Sequence, residues 1–276
     1  MLETWPPQPT DVEKQELVGR SVDWAASHGL VMRYKNTGEN NIPSCLAVHA
    51  PFALFPSPFP KSCYDHAIQL QPLFNKLVHV VANDTDFVAN VIGSLSGGVD
   101  DFTWRLFEIF KSNLNSPFEQ RIRLSINRSD YMLHVPSSES NPVIQQVELN
   151  TIASSFSSLS TLVSRLHSHM AIRTEFFNGS ATTTPDITKH SLPENNSILG
   201  IPKAIGIAWR LYKGANGVAT NPVVVMVVQP GEGNIFDQRW IEYELFQSYG
   251  VKLLRRSLAE LNSSSKLVGI EKRLFM

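Results

Sequence analysis

Apolar residues recur at helical spacing through the first part of the chain. Leu17, Val18, Val22, Ala25 and Ala26 follow the capping box Thr10-Asp11-Val12-Glu13, and Gly29 stands where a helix takes its left-handed end. Phe74, Leu77, Val78 and Val81 predict a second helix. Phe102, Leu106, Ile109 and Phe110 predict a third, opened by Asp100-Asp101. Between the first two lies His49 to Pro60, with four prolines and three phenylalanines. Proline at that density excludes a helix interior or a central strand, so an extended apolar connector is expected.

The period then changes. Ile122, Leu124 and Ile126 alternate with Arg121, Arg123 and Ser125, which predicts a strand whose end is the polar run Asn127 to Tyr131. A Ser-, Pro- and Asn-rich loop (136–142) leads to a second strand, Val143 to Asn150, and Leu159, Leu162, Val163 and Leu166 restore a helix. Residues 178–196 have the composition of a linker. Ala204, Ile207, Ala208 and Leu211 predict a short helix, with a loop over 214–220. Val223 to Val228 is a continuous β-branched run, expected as a strand buried on both faces. A Gly-rich loop, a helix from Asp237 to Tyr249 closed by Gly250, and a strand at Val251 to Leu254 complete a βαβ unit. Two parallel strands cannot cover themselves, so apolar surface is expected to stay open at Val223 to Val228 and at Leu267-Val268.

Composition narrows the class. The 276 residues carry a formal charge of −1, with 18% charged and 42% hydrophobic side chains. A near-neutral chain lacks the basic field that nucleic acid or an anionic membrane requires. Two cysteines, Cys45 and Cys63, are too few for a disulfide framework and lack metal-ligand spacing. No apolar run is long enough to cross a membrane, and Met1 to Pro6 does not read as a signal peptide. A soluble cytosolic α/β protein is the expectation.

Three places can carry chemistry. Gln146, Glu148 and Asn150 share one strand face by period two, where a carboxylate and an amide oxygen can reach one hard cation. Arg128, on the neighbouring strand, offers a fork of donors to a carboxylate or phosphate. A solvated polar strand face is the plain alternative. Thr151 to Ser158 precedes a helix, so its hydroxyls and N–H groups can hold an anion, or Ser157 or Ser158 can simply cap the helix. Gln229 to Gln238 follows a strand's carboxyl end, where open α/β sheets bind ligands. It is neither a dinucleotide fingerprint, since Phe236 replaces the third glycine, nor a Walker loop. His167 and His169 are two apart on a helix and do not face one metal. Cys63 reads as a small buried hydrophobe.

The segments Ala50-Pro51-Phe52, Asp101-Phe102-Thr103 with Arg105-Leu106-Phe107, Asn127 to Met132, Val147 to Phe156 and Asn234 to Gln238 together resemble the N-terminal part of eukaryotic glutathione synthetase. The resemblance runs nearly the length of the chain. It implies an α/β fold: a helix-rich part of an ATP-grasp ligase domain over residues 1–200, then the start of a parallel α/β substrate-binding domain over 201–276. It implies a cytosolic homodimer that joins γ-glutamylcysteine to glycine. MgATP phosphorylates the cysteinyl carboxylate, and glycine's amine displaces phosphate from the acyl phosphate. By this resemblance Glu148 and Asn150 are Mg2+ ligands, with Glu148 also beside ATP. Arg128 binds substrate and stabilises the anionic intermediate. Ile152, Ala153, Ser154, Ser155, Glu232, Gly233, Asn234 and Gln238 contact γ-glutamylcysteine.

Two departures stand out. Ala153 replaces a serine common in relatives, next to the unusual Ser157-Ser158, and Gly233 replaces a long side chain. They permit an altered acceptor such as β-alanine. Family members also continue well past Met276, so this chain is expected to be an N-terminal fragment, inactive alone. The alternative is a short non-catalytic isoform that binds substrate or dimerises with a full-length subunit.

Overall fold

The computed structural model describes residues 6–34, 45–95, 100–114, 122–137, 140–174, 192–215, 222–269 and 273–276. Helices and strands are mixed along the chain. In order these are α1 (Asp11–Ser27), β1 (Val31–Arg33), β2 (Ala47–His49), α2 (Lys61–Asn83), α3 (Thr85–Ser94), α4 (Asp101–Asn113), β3 (Arg128–His134) and β4 (Val143–Asn150). There follow α5 (Ser157–Arg173), α6 (Ser197–Ala215), β5 (Val224–Val227), α7 (Ile235–Tyr249), β6 (Leu253–Arg256), α8 (Leu258–Ser264), β7 (Lys266–Val268) and β8 (Arg273–Phe275). The chain divides into two compact units. One gathers Met1–Pro58, Ser155–Val268 and Lys272–Met276; the other gathers Phe59–Ser154 and Gly269–Glu271. Position 200 falls inside α6.

In the first unit the capping box at Thr10 forms as its sequence requires, with Glu13 accepting from the Thr10 N–H at 2.8 Å. Gly29 takes φ +74° and turns the chain into β1, which pairs antiparallel with β2. The core lies where α1 meets α5: Leu17, Ala25, Leu159, Leu162, Leu166 and Met170 are all buried. Phe52 and Phe55 of the proline-rich connector pack against this core, the role expected of an extended apolar segment. A second cluster of Leu245, Val251 and Leu253 joins α7 to β6, and β6 pairs parallel with β5 as the βαβ reading requires.

Two expectations for this unit need correction. The helix expected around Ala204 to Leu211 is α6, nineteen residues long. Its start is set by one local and one distant partner: Asn195 Oδ1 accepts from the Ser197 N–H at 3.2 Å, and Thr161 Oγ1 of α5 accepts from the Ile198 N–H at 3.2 Å. Strand β5 is not buried on both faces. With one paired neighbour among the described residues, it leaves Val227 54% exposed, and Leu267 and Val268 are likewise open. Most of the expected linker (178–196) and most of the loop over 214–220 lie outside the described residues.

Where α6 meets α7, Gly206 lets Tyr249 come close. A Cβ on Gly206 would sit 2.9 Å from Tyr249 Cδ1 and 3.0 Å from its Cγ. Gly206→Ala is therefore expected to lose about 1–2 kcal/mol of stability, because the steric cost exceeds alanine's helix propensity. Urea unfolding checks the sign; a stabilised variant would show that the ring gives way freely.

In the second unit α2 carries buried Cys63, whose Sγ donates to the Pro142 carbonyl at 3.3 Å beside β4. A Cβ on Gly93 of α3 would sit 3.7 Å from Cζ of buried Phe107 on α4. Strands β3 and β4 form an antiparallel ladder, with β4 at the expected bounds. Strand β3 begins later than expected. Arg128 pairs with Asn150, the last residue of β4, so the ladder starts there and Ile122 to Asn127 precede it despite their alternation. Arg121 lies outside the described residues.

Candidate functional site

The β3–β4 register decides which side chains meet. Arg128 stands opposite Asn150 and Asp130 opposite Glu148, and the register then slips, so that Tyr131 faces Gln146 and Val147 is the extra residue of a bulge. Residues 128 and 130 share one face by period two, and their partners share it with them. Gln146 pairs with Tyr131, which points to the opposite face, so the bulge removes Gln146 from the expected trio. Glu148 and Asn150 stay together.

The four remaining side chains touch. Arg128 grips Asp130 bidentately, with Nε to Oδ1 at 2.9 Å and Nη2 to Oδ2 at 3.0 Å, and Nη2 lies 3.7 Å from Glu148 Oε1. Asn150 Nδ2 donates to Glu148 Oε1 at 2.9 Å and to Asp130 Oδ2 at 3.3 Å. Arg128 and Asp130 are 37% and 35% exposed and Glu148 58%, so the face is open to ligands. Two carboxylates against one guanidinium leave a net negative charge, faced by the Asn150 amide N–H2. Asp130 has no role in the sequence expectations. The spacing Arg128-x-Asp130 on a strand is the signal that finds it.

The fork on Asp130 holds its carboxyl below the ordinary carboxylate range, and the same contact raises Arg128. The sign follows from the depressed carboxyl. Its stabilisation is fully present above the unfolded value, about 3.9, and is lost as pH falls through the folded value. Solvent over both side chains limits the pair to about 1 kcal/mol or less. Asp130→Asn is expected to lower stability by that amount at pH 7 and by less at pH 3, read by urea unfolding at the two pH values. An equal loss at both would show that the ion pair is not what Asp130 contributes.

The turn after β4 is strained. Ala153 takes φ +54° and Phe156 φ +71°, both in the left-handed region that bulky residues avoid. Ile152 is 82% exposed, and Ser154 Oγ lies 3.1 Å from the Asn150 carbonyl and 3.2 Å from that of Ile126. Ser155 is half-buried. The helix start that follows is not capped by Ser157 or Ser158, nor open to an anion. Buried Asp237, from the first turn of α7, fills it: Oδ2 accepts from the Phe156 N–H at 2.7 Å, and Oδ1 from those of Ser158 at 2.9 Å and Leu159 at 3.1 Å. This contact joins residues about eighty apart and leaves no local sequence signal.

In the first unit, residues 228–234 lead from β5 into α7. Glu232 Oε1 accepts from the Asn234 N–H at 2.8 Å, which closes the turn on itself. The Gly233 carbonyl accepts from the Arg33 N–H of β1 at 2.9 Å, while the Arg33 guanidinium lies 5.2 Å from the Phe236 ring centroid. Asn234 Oδ1 is enclosed without a hydrogen-bond partner among the described residues. Gln238, one turn into α7, accepts from Arg255 of β6. Burial, and then Arg239, pull the Arg255 guanidinium below the ordinary arginine range. His167 is buried with its Nε2 2.8 Å from the Ala53 carbonyl, so it is engaged in packing rather than with a metal.

Among the described residues no group of three or more His, Cys, Asp or Glu side chains is arranged to hold a metal, and no helix is long and apolar enough to cross a membrane. The β3–β4 face offers a different donor set: the carboxylate oxygens of Asp130 and Glu148, joined by the Asn150 oxygen once its amide, here donating through Nδ2 to both carboxylates, turns over. Hard, few and partly carboxylate, these suit a magnesium ion that keeps water and phosphate ligands.

Comparison with known proteins places these features. Residues 11–273 match the eukaryotic glutathione synthase ATP-binding domain. A glutathione synthetase of Dictyostelium discoideum is 35% identical over 255 residues, covering 91% of this chain and 50% of the relative. One of Rattus norvegicus is 34% identical, covering 96% of this chain and 52% of the relative. The chain thus spans about half the length of the curated relatives it matches. A solved structure, a glutathione synthetase-like effector from Globodera pallida in its apo form, superposes with a TM-score of 0.75 at 19% identity. It covers 98% of this chain and 56% of that one, and shares the fold.

Proposed function

The chain belongs to the eukaryotic glutathione synthase family, and from that premise we propose that it serves an ATP- and magnesium-dependent ligation of γ-glutamylcysteine to glycine through an acyl phosphate. The observation that carries this reading is the quartet on the β3–β4 face. Glu148 and Asn150, with Asp130 beside them, would hold the magnesium ion, and Glu148 would also stand beside ATP. The bound ion supplies charge neutralisation for the phosphoryl group in transfer.

Arg128 then acts on the anionic side of the chemistry. Its guanidinium binds the substrate carboxylate and stabilises the negative charge of the tetrahedral state, while Asp130 fixes its plane. Asp130 also lowers the net cost of holding a cation so near a metal. For γ-glutamylcysteine the contacts are assigned residue by residue: the turn Ile152, Ala153, Ser154 and Ser155, and separately Glu232, Gly233, Asn234 and Gln238. At Ala153 and Gly233 only the main chain and a methyl group are available. We assign residues 1–200 to the ATP-grasp part and 201–276 to the substrate-binding part, and the assembly to a cytosolic homodimer.

The protein expressed from its complete coding sequence, given ATP, Mg2+, γ-glutamylcysteine and glycine, is expected to release phosphate only when all four are present. Release with β-alanine in place of glycine would reassign the acceptor, and no release with either would refute the ligase reading. Residues 1–276 expressed alone are expected to release none, because they span about half the length of their relatives.

A further inference from the structure

Gln238 enters the functional reading as a substrate contact, yet nothing in its own sequence says which end of its amide faces the substrate. Arg255 settles this. Its Nε lies 3.0 Å and its Nη2 2.5 Å from the same atom, Gln238 Oε1. A guanidinium has donors only, so the atom that both nitrogens approach must be the carbonyl oxygen. The amide nitrogen therefore points away from Arg255, and among the described residues Nε2 has no acceptor. Both residues are half-buried, and Arg255 makes no ion pair among the described residues. Arg255 lies on β6 beside Met226 of β5, near the carboxyl ends of the two parallel strands, where an α/β sheet presents its ligand contacts.

We propose that Arg255 is a positioning residue that locks the Gln238 amide so that its Nε2–H2 can only donate, which restricts Gln238 to a carboxylate or carbonyl oxygen of the substrate. The inference rests on the assignment of Gln238 to γ-glutamylcysteine and adds the direction of that contact. A free glutamine rotates its amide to suit either a donor or an acceptor. The locked one accepts an anionic or carbonyl group and turns away an ammonium group, and so it chooses which part of a zwitterionic peptide lies against α7. The fork matters as well as the charge: lysine places one ammonium at a point and does not bracket a single oxygen.

Two variants test this in the protein expressed from its complete coding sequence. Gln238→Glu keeps an oxygen for Arg255, as an ion pair, but removes the donor. It is expected to raise KM for γ-glutamylcysteine about tenfold or more, with kcat within about twofold, KM for ATP unchanged and the melting temperature not lowered. A role confined to holding α7 against β6 predicts the reverse, an unchanged KM. Arg255→Lys is expected to raise the same KM about tenfold, and Arg255→Lys combined with Gln238→Ala to be no worse than Gln238→Ala alone. If the double variant shows the product of the two effects, Arg255 acts on the substrate directly and the positioning role is refuted. Should Arg255→Lys fail to fold, Gln238→Glu decides alone. A wild type that binds γ-glutamylcysteine without ligating it refutes the ligase reading but leaves the inference testable, by calorimetric titration of the same variants. A wild type that neither ligates nor binds overturns both.

Discussion

Asp237→Ala is expected to destabilise the protein by about 3–5 kcal/mol, more than any other single substitution considered. The carboxylate is 2% exposed and accepts three main-chain N–H groups at the start of α5. An unfilled helix start of this kind carries orphan donors and the positive end of the helix dipole, and both favour a carboxylate. Removing it leaves the three donors enclosed with no acceptor, at about 1–3 kcal/mol each before relaxation and water entry reduce the sum. Phe156, held at φ +71° by the same contact, loses the bond that offsets its backbone strain. Asp237→Asn keeps one acceptor but sets an amide N–H2 against a donor, and about 2–3 kcal/mol is expected. Ser157→Ala, by contrast, removes an enclosed hydroxyl that has no partner among the described residues, and is expected to change stability by less than about 0.5 kcal/mol. Urea unfolding of the three variants gives the ranking. A larger loss from Ser157→Ala than from Asp237→Ala would restore local serine capping.

Glu148→Gln is expected to lower kcat/KM at least a hundredfold, and Arg128→Lys by about the same factor. Glutamine keeps the hydrogen bond to Asn150 Nδ2 but withdraws the charge, leaving Asp130 as the quartet's one carboxylate, already engaged bidentately by Arg128. A magnesium ion with a single neutral oxygen in place of a carboxylate is held weakly, so raising Mg2+ is expected to recover part of the Glu148→Gln loss and none of the Arg128→Lys loss. Lysine cannot span both oxygens of Asp130. If the face is merely a solvated strand surface, both variants turn over within about twofold of wild type, and their Mg2+ dependence matches it.

Much of this was legible from local chemistry. The capping box at Thr10, the left-handed Gly29 and Gly250 and the bounds of β4 follow from rules that act within a few residues, and the parallel pairing of β5 with β6 follows from the βαβ pattern. What escaped was set by partners far along the chain. Ile122, Leu124 and Ile126 alternate perfectly, but a strand exists where another pairs with it, and β4 ends opposite Arg128. The bulge at Val147 moved Gln146 off the face that simple alternation gave it, and left Glu148 and Asn150 on it. Asp237 read as an ordinary helix-start acid of α7, and its contact with α5 is visible only in three dimensions. Asp130 was within reach, since a period-two rule already placed it beside Arg128. For the site as a whole, the residues were named by family resemblance. The fold contributes the ladder register that sets three of them in contact with Asp130, and the Arg255 fork that fixes the direction of Gln238.

The most direct test of the proposed chemistry follows the oxygen of the substrate carboxylate. γ-Glutamylcysteine labelled with 18O in its cysteinyl carboxylate, supplied with ATP, Mg2+ and glycine to the protein expressed from its complete coding sequence, passes one label to phosphate if the carboxylate is phosphorylated and then attacked. The account predicts inorganic phosphate carrying a single 18O for each glutathione formed. Phosphate free of label, or no glutathione at all, would contradict it.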